Sequence, residues 1–364
     1  MMRLRIALIL AAAFAAGTVV NAVADDAPAK QMPKLFVKLP DYCPTPDAFA
    51  IDSEGNLIVS CPNFSDKSKP ACILKIDKAG NVRKWFNVPT RPETGWAAPM
   101  GMAFGPDGEL FIADNQPWMG TPEGQFKGRI IGCKVEGMGD DAKVTMRVIA
   151  DGIEHPNGIR YHNGMLYLTV SMLSKIEDRS GLLVSGVYRF DPKSETTVHV
   201  TNTKTDPNLI LTVLTYNKAC QYGLDGIAFR PGCGTMYLSN FGDGSILRVE
   251  MNDAREVISI ETWAKDPKNL RTADGICFDE NGNLYIADFS DNAIAVVKPN
   301  GRMYRIAQSP DSDGSNGELD QPGEPIVWNG KLIVSNFDAV IDLETHLNTA
   351  HQPPHTLSVL ELVK

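Results

Sequence analysis

Six positions in this 364-residue chain combine residue type and spacing in a way that points to chemistry: Asp47, Met100, Asn157, Asp225, Asp274 and Glu324. They fall 53, 57, 68, 49 and 50 residues apart, and five of the six carry a side-chain oxygen. Four are carboxylates. Carboxylates gathered at one point repel, and they hold protons more tightly unless a cation offsets the charge. Calcium suits such a set, since it takes roughly six to eight oxygen ligands in flexible geometry and accepts both carboxylate and amide. Another hard divalent cation is an alternative, although magnesium demands a stricter octahedron. Zinc favours His or Cys, and these positions offer neither. An acid or amide before Gly is also a common turn pair. Here the oxygen persists without glycine, in Asp47-Ala48 and Glu324-Pro325, so turn chemistry alone does not account for it.

Each of these residues is the second in a recurring stretch: "PDAFAIDSEGNLIVSCP" at 46, "PMGMAFGPDGELFIADN" at 99, "PNGIRYHNGMLYLTVSM" at 156, "LDGIAFRPGCGTMYLSNF" at 224, "ADGICFDENGNLYIADF" at 273 and "GEPIVWNGKLIVSNF" at 323. Two β-rich runs flank a tight polar turn, which is the pattern of a hairpin. A third apolar run follows each copy, from "CILKID" to "TLSVLELV", and several copies have a fourth. Three or four strands per unit, six units and almost no helical periodicity predict an all-β, six-bladed β-propeller. The last repeat stops at its third strand. "KLFVKLP", residues 34–40, stands before the first repeat and is expected to pair with the last blade and close the ring. In a propeller the first strand of every blade lines the central channel, so the six positions are expected to form one ring. "DENGNL" at 279 begins like an EF-hand loop, but Leu284 stands where that loop requires Gly, which leaves a hairpin turn.

The N-terminus reads as an export signal. "MMRLRIALILAAAFAAGTVVNAVADD" combines two arginines, an apolar run and the small-residue site Ala22-Val23-Ala24. The expected organisation is a signal peptide over 1–24, a linker over 25–33 and one propeller over 34–364, in a secreted or periplasmic protein free of the membrane after cleavage. With 44 Asp+Glu against 35 Lys+Arg and no basic run, nucleic acid is excluded as a natural partner. The seven cysteines are Cys43, Cys61, Cys72, Cys133, Cys220, Cys233 and Cys277. The odd count leaves at least one thiol outside any intramolecular bridge. Proximity in sequence makes Cys61–Cys72 and Cys220–Cys233 the first pairs to examine.

On these repeats, and above all on "ADGICFDENGNLYIAD", the chain over residues 40–364 resembles the gluconolactonase and senescence-marker-protein (regucalcin-like) family of six-bladed propellers. That family is related to diisopropyl fluorophosphatase and, more remotely, to the paraoxonases. The resemblance implies a channel calcium held at Asp47, Asn157, Asp225 and Asp274, and hydrolysis of a lactone or related small-molecule ester. Four departures stand out. The first-blade acid is Asp where Glu is usual, and Asp225 replaces an amide. Glu324 adds a carboxylate, and Met100 occupies the second-blade position. Cys277 stands where relatives with a second calcium have an acid, so that second site is not carried over.

A bound divalent cation can polarise a carbonyl, and a carboxylate can act as base or nucleophile. Asp274 is the first choice for that base or nucleophile, Glu324 is second, and Asn157 ligates and orients. The expected ligand set is Asp47, Asn157, Asp225, Asp274 and Glu324. His155 approaches the channel mouth or merely ends a strand; His346, His351 and His355 lie in a long segment of the last blade, as lid or surface loop. Met100, Trp96 and Trp118 are either an apolar wall for substrate or blade packing. No G-x-S-x-G elbow appears, so serine-hydrolase chemistry lacks support. A non-catalytic propeller, calcium-stabilised and binding a protein, peptide or glycan, is the alternative in another class. A quinone-dependent dehydrogenase would require a basic cluster that the sequence does not show. Oligomeric state is not legible.

Overall fold

The structure is a computed structural model and describes residues 27–116, 122–340 and 346–364. Its strands form six sheets in succession around an axis, a six-bladed β-propeller. Among the described residues there is no α-helix, only 3-10 turns such as Gly139–Asp141 and Phe289–Asp291. The export signal and Trp118 lie outside the described residues.

Within each blade the strands run in antiparallel order from the channel outward, as the hairpin repeats require. The innermost strands are Phe49–Ile51, Pro99–Phe104, Pro156–His162, Leu224–Phe229, Ile276–Phe278 and Pro322–Trp328. Strand Lys34–Lys38 pairs antiparallel with Thr356–Glu361 as the outer strand of the last blade, so the two ends of the chain share one sheet. The chain just before it is also tied down. Gln31 exchanges two hydrogen bonds with Glu361, at 3.0 and 2.8 Å, and forms a short bridge to Ala307.

The core lies between blades. Second-strand residues such as Ile58, Ile112, Leu168, Leu238, Ile286 and Ile333 are buried completely or nearly so. Alternating strand positions face opposite sides of a blade, and both sides meet a neighbouring blade, so these strands read as continuous apolar runs. The second blade gains a fifth strand, Val198–His199, which pairs in parallel with Lys143–Ile153. It comes from the segment that joins the third and fourth strands of blade three, the stretch that lengthens that repeat.

The disulfide differs from the expected pairs. Cys43 bonds Cys61, with Cα atoms 5.6 Å apart, because the chain turns back at Pro40–Cys43 and reaches the end of the neighbouring strand. Cys72 sits opposite Cys61 in the sheet as a buried free thiol. Cys220 and Cys233 flank strand Leu224–Phe229 at its two ends, and six extended residues span about 20 Å, far beyond disulfide reach.

Candidate active site

Four of the six innermost strands begin with a local break in their register, and Met100, Asn157, Asp225 and Glu324 sit in these breaks, whereas Asp47 and Asp274 stand just before their strands. Pairing skips between Pro99 and Met102, Pro156 and Ile159, Leu224 and Ile227, and Pro322 and Pro325. A bulge of this kind re-aims a side chain. The freed amide is caught by a hydroxyl on the second strand of the same blade. Gly158 N–H donates to Thr169 Oγ1 at 2.8 Å, and Gly226 N–H to Ser239 Oγ at 2.7 Å. The same hydroxyls donate onward to the next blade, Thr169 to the Asp225 carbonyl and Ser239 to the Asp274 carbonyl, the latter at 2.6 Å. The ring is thereby fixed blade to blade.

Glycine follows the ring residue for a steric reason. A Cβ on Gly158 or Gly226 would come 2.6 or 2.8 Å from the ring carbonyl of the next blade. On Gly275 it would come 2.7 Å from the Cα, Cβ and Cγ of Glu324. The innermost strands approach too closely for a side chain there.

The register moves one expected ring member. Pro322 pairs with Asn336 and Pro325 with Val334, as Leu224 pairs with Asn240 and Ile227 with Leu238. The counterpart of Asp225 in the last blade is therefore Gly323. Glu324 stands one residue further along, at the level of Gly226, and its amide is accepted by Ser335 Oγ at 2.9 Å just as Gly226 is by Ser239. It still enters the channel. Asp47, Asn157, Asp225, Asp274 and Glu324 all line one cavity of about 20 Å³. Such a volume admits a single water or ion, since roughly 10–15 Å³ is the minimum for one water. Met100 is buried at its ring position but is not part of this lining, and Trp96 lies in a loop with Lys67 over its ring.

One cavity residue was not anticipated: Arg160. Its guanidinium pairs with Glu324 Oε1, while Glu324 Oε2 accepts the Phe49 amide at 2.9 Å. Both oxygens of Glu324 are thus engaged. The signal was available in the repeat, because the equivalent positions in four other blades are Ala50, Ala103, Ala228 and Cys277.

Individual arginine partners distinguish two acids that hold loops from the acids of the channel. Asp114 and Asp288, which end second strands, each meet an arginine, Arg129 at 2.7 Å and Arg305 at 2.8 Å. In the channel four carboxylates share Arg160 alone among the cationic side chains that line the cavity. Asn157 Nδ2 donates to Asp225 Oδ2 at 2.7 Å, and the Asp225 and Asp274 carboxyls share the same cavity lining. Burial pushes Asp47 well above the usual carboxylate range, with the charges of Asp225 and Glu324 adding to it. Burial raises Asp225 to about 7, against hydrogen bonds from Asp274 and Asn157 that hold it down. Asp274 is raised by burial first, then by the charges of Asp225, Asp47 and Glu324. Asp47 and Asp225 are buried, whereas Asp274 keeps partial exposure.

Donor type, charge and volume all fit a hard divalent cation. Asp47, Asn157, Asp225 and Asp274 would hold it, with Glu324 braced by Arg160 at the edge. Aromatic side chains form a continuous arc that touches the ring where Tyr222 Oη accepts from Asn157 Nδ2 at 3.3 Å. Phe64, Phe337, Phe289, Phe241, Tyr222 and His155 follow one another with ring centroids 5.1–6.1 Å apart. His155 is buried beneath solvent, neither ring nitrogen has a hydrogen-bond partner, and burial holds its pKa down to about 4.

The comparisons agree with this geometry at the level of fold. A luciferin-regenerating enzyme superposes with a TM-score of 0.59 at 12% identity, covering 91% of this chain and 95% of that one. Regucalcin from Agrobacterium tumefaciens, described as a calcium-binding protein, gives 0.57 at 14% identity over 92% and 95%. A gluconolactonase from Xanthomonas campestris gives 0.54 at 14% identity over 92% and 96%. No curated protein matches the sequence significantly. The family likeness carried by the repeats is to the SMP-30/Gluconolactonase/LRE-like region, which residues 161–316 match.

Proposed function

We propose that this protein is an exported, metal-dependent hydrolase of a lactone or related small-molecule ester, with calcium as the first candidate for the channel cation. One observation carries the reading: Asp47, Asn157, Asp225 and Asp274 converge, with Glu324, on a single ion-sized cavity whose negative charge is only partly offset. A bound divalent cation there would supply Lewis-acid polarisation of a substrate carbonyl. Asp47 and Asp225, buried and hydrogen-bonded or crowded by charge, are suited to ligation. Asn157 holds Asp225 in place through its amide. Asp274 is the partly exposed member of the three aspartates and is the group placed to take a proton from water. Glu324 is occupied by Arg160 and the Phe49 amide, which makes it a weaker base candidate than Asp274. The Cys43–Cys61 disulfide supports export, since such bonds persist in oxidising compartments.

A second reading rests on the size of the cavity. At about 20 Å³ it is far below the roughly 300 Å³ or more of a small-molecule site. The hydrolase reading requires that a substrate carbonyl reach Asp274. If it does not, the cation only ties the blades together and the protein binds a macromolecular or glycan partner elsewhere. Metal analysis paired with a lactone and arylester screen separates the two. Calcium-dependent turnover supports the hydrolase, while tight calcium without turnover supports the structural reading.

A further inference from the structure

A second constellation lies outside the channel, in the segment of the last blade between strands Lys331–Asn336 and Thr356–Glu361. Among the described residues, Asp338, His351 and His355 place one ligand atom each within 4.8 Å of one another. His351 Nδ1 lies 3.1 Å from Asp338 Oδ2, and His355 Nδ1 lies 3.8 Å from the same oxygen. Tetrahedral zinc with bonds of about 2.1 Å sets its ligand atoms roughly 3.4 Å apart, between those two distances.

The orientation of these groups is built rather than incidental. Asn348 Nδ2 donates to Asp338 Oδ1 at 3.1 Å, which turns Oδ2 toward the imidazoles. The two rings stack with centroids 5.0 Å apart at 12°, presenting both Nδ1 atoms to the same carboxylate. An ordinary His–Asp ion pair explains His351, whose Nδ1 also meets the Asp338 carbonyl. It does not explain His355. That side chain is 8% exposed, and its Nδ1 is buried without a hydrogen-bond partner. Asp320, whose backbone carbonyl accepts the Asp338 amide at 3.3 Å, is also buried, with an unpartnered Oδ1.

We propose that Asp338, His351 and His355 form a site for a divalent transition cation of the zinc type, separate from the channel ring. Two imidazoles and one carboxylate suit such a cation better than calcium. Binding displaces the proton on His351 Nδ1 and gives His355 Nδ1 the partner it lacks. The site fastens residues 346–355, where Leu347 N–H donates to the Ser290 carbonyl at 2.9 Å and His346 meets Phe289 of the aromatic arc edge-on at 5.2 Å. The cation thus serves as a clamp beside the aromatic arc.

The test uses the full chain, freed of metal, with Zn²⁺ alone and Co²⁺ alone as probes. One Zn²⁺ should bind per chain, and X-ray absorption of the zinc-loaded wild type should show an N/O shell with imidazole scattering. His355→Gln and His351→Gln should each weaken Zn²⁺ binding by about 100-fold or more, taking the upper end of measured losses at metal sites as a floor. Circular dichroism checks that both variants fold, and Asp77→Asn, in a turn of the first blade, should leave Zn²⁺ affinity unchanged. A sulfur-containing shell would place the zinc on a thiol such as the exposed Cys233 and overturn the proposal. So would binding that survives both histidine variants, binding abolished by Asp77→Asn, or no Zn²⁺ binding at all.

Discussion

Replacing Arg160 by Met keeps much of the side chain's length and removes the guanidinium that lines the acidic cavity. Glu324 then keeps only the Phe49 amide as a partner, in a channel that already holds Asp47, Asp225 and Asp274. A hydrogen bond to a charged group contributes about 1.5–3 kcal/mol. The Arg160 side chain is 24% exposed against 9% for Glu324, so solvent screening favours the lower half of that range. At about 2–4 °C per kcal/mol, the cation-free melting temperature should fall by roughly 3–8 °C. Calcium should offset most of this loss, because it compensates the same cluster of charge. Differential scanning calorimetry at pH 8, with chelator and then with calcium, measures both increments. The calcium-induced rise should be larger in Arg160→Met than in wild type, and Arg160→Lys should fall between. An equal drop with and without calcium would show that Arg160 and the cation do not share a charge cluster, and would refute the reasoning.

Three further outcomes follow from the same geometry. Asp274→Asn should lower hydrolysis of a confirmed substrate by about 10²-fold or more in a folded protein, the usual scale for a lost general base, while Asp77→Asn in an exposed turn should leave it unchanged. Because Asp47, Asp225 and Asp274 hold protons more tightly folded than unfolded, the cation-free protein should lose stability as pH rises from about 4 through 7, by a few kcal/mol. Thermal melts at pH 5 and pH 8 check this, and calcium should flatten the trend. Gly275→Ala forces a Cβ to within 2.7 Å of Glu324 and should cost about 1–3 kcal/mol in urea titration, with weaker calcium binding.

Much of the fold was legible because the hairpin is a local object. Its alternating pattern and turn recur six times, and strand Lys34–Lys38 fills the place left by the short last repeat. In the turn of the fifth copy, Gly282 takes φ +79°, the left-handed conformation that glycine permits. Asp279 in that turn is a structural acid, buried and holding both the backbone and side-chain nitrogens of Asn283, at 2.9 and 2.7 Å. What sequence could not supply was register. Gly323-Glu324 offers two choices for the ring, and side-chain chemistry favours Glu324. Only pairing with Asn336 and Val334 selects Gly323. Arg160 is not legible as a site residue from ligand chemistry, because it offers no oxygen donor; its only signal is a charge at a position occupied by small residues in most other blades. The added strand Val198–His199 and the Cys43–Cys61 bridge depend on where loops return, which periodicity does not encode.

The central claim is that the channel ring is a cation site. Equilibrium dialysis with calcium tests it most directly, on wild type and on the double variant Asp225→Asn/Asp274→Asn. One calcium per chain should bind to the wild type and to Asp77→Asn, and the double variant, folded by circular dichroism, should retain none at the same free concentration. A wild type that takes up no calcium, or a double variant that binds it as well as wild type, would contradict the account.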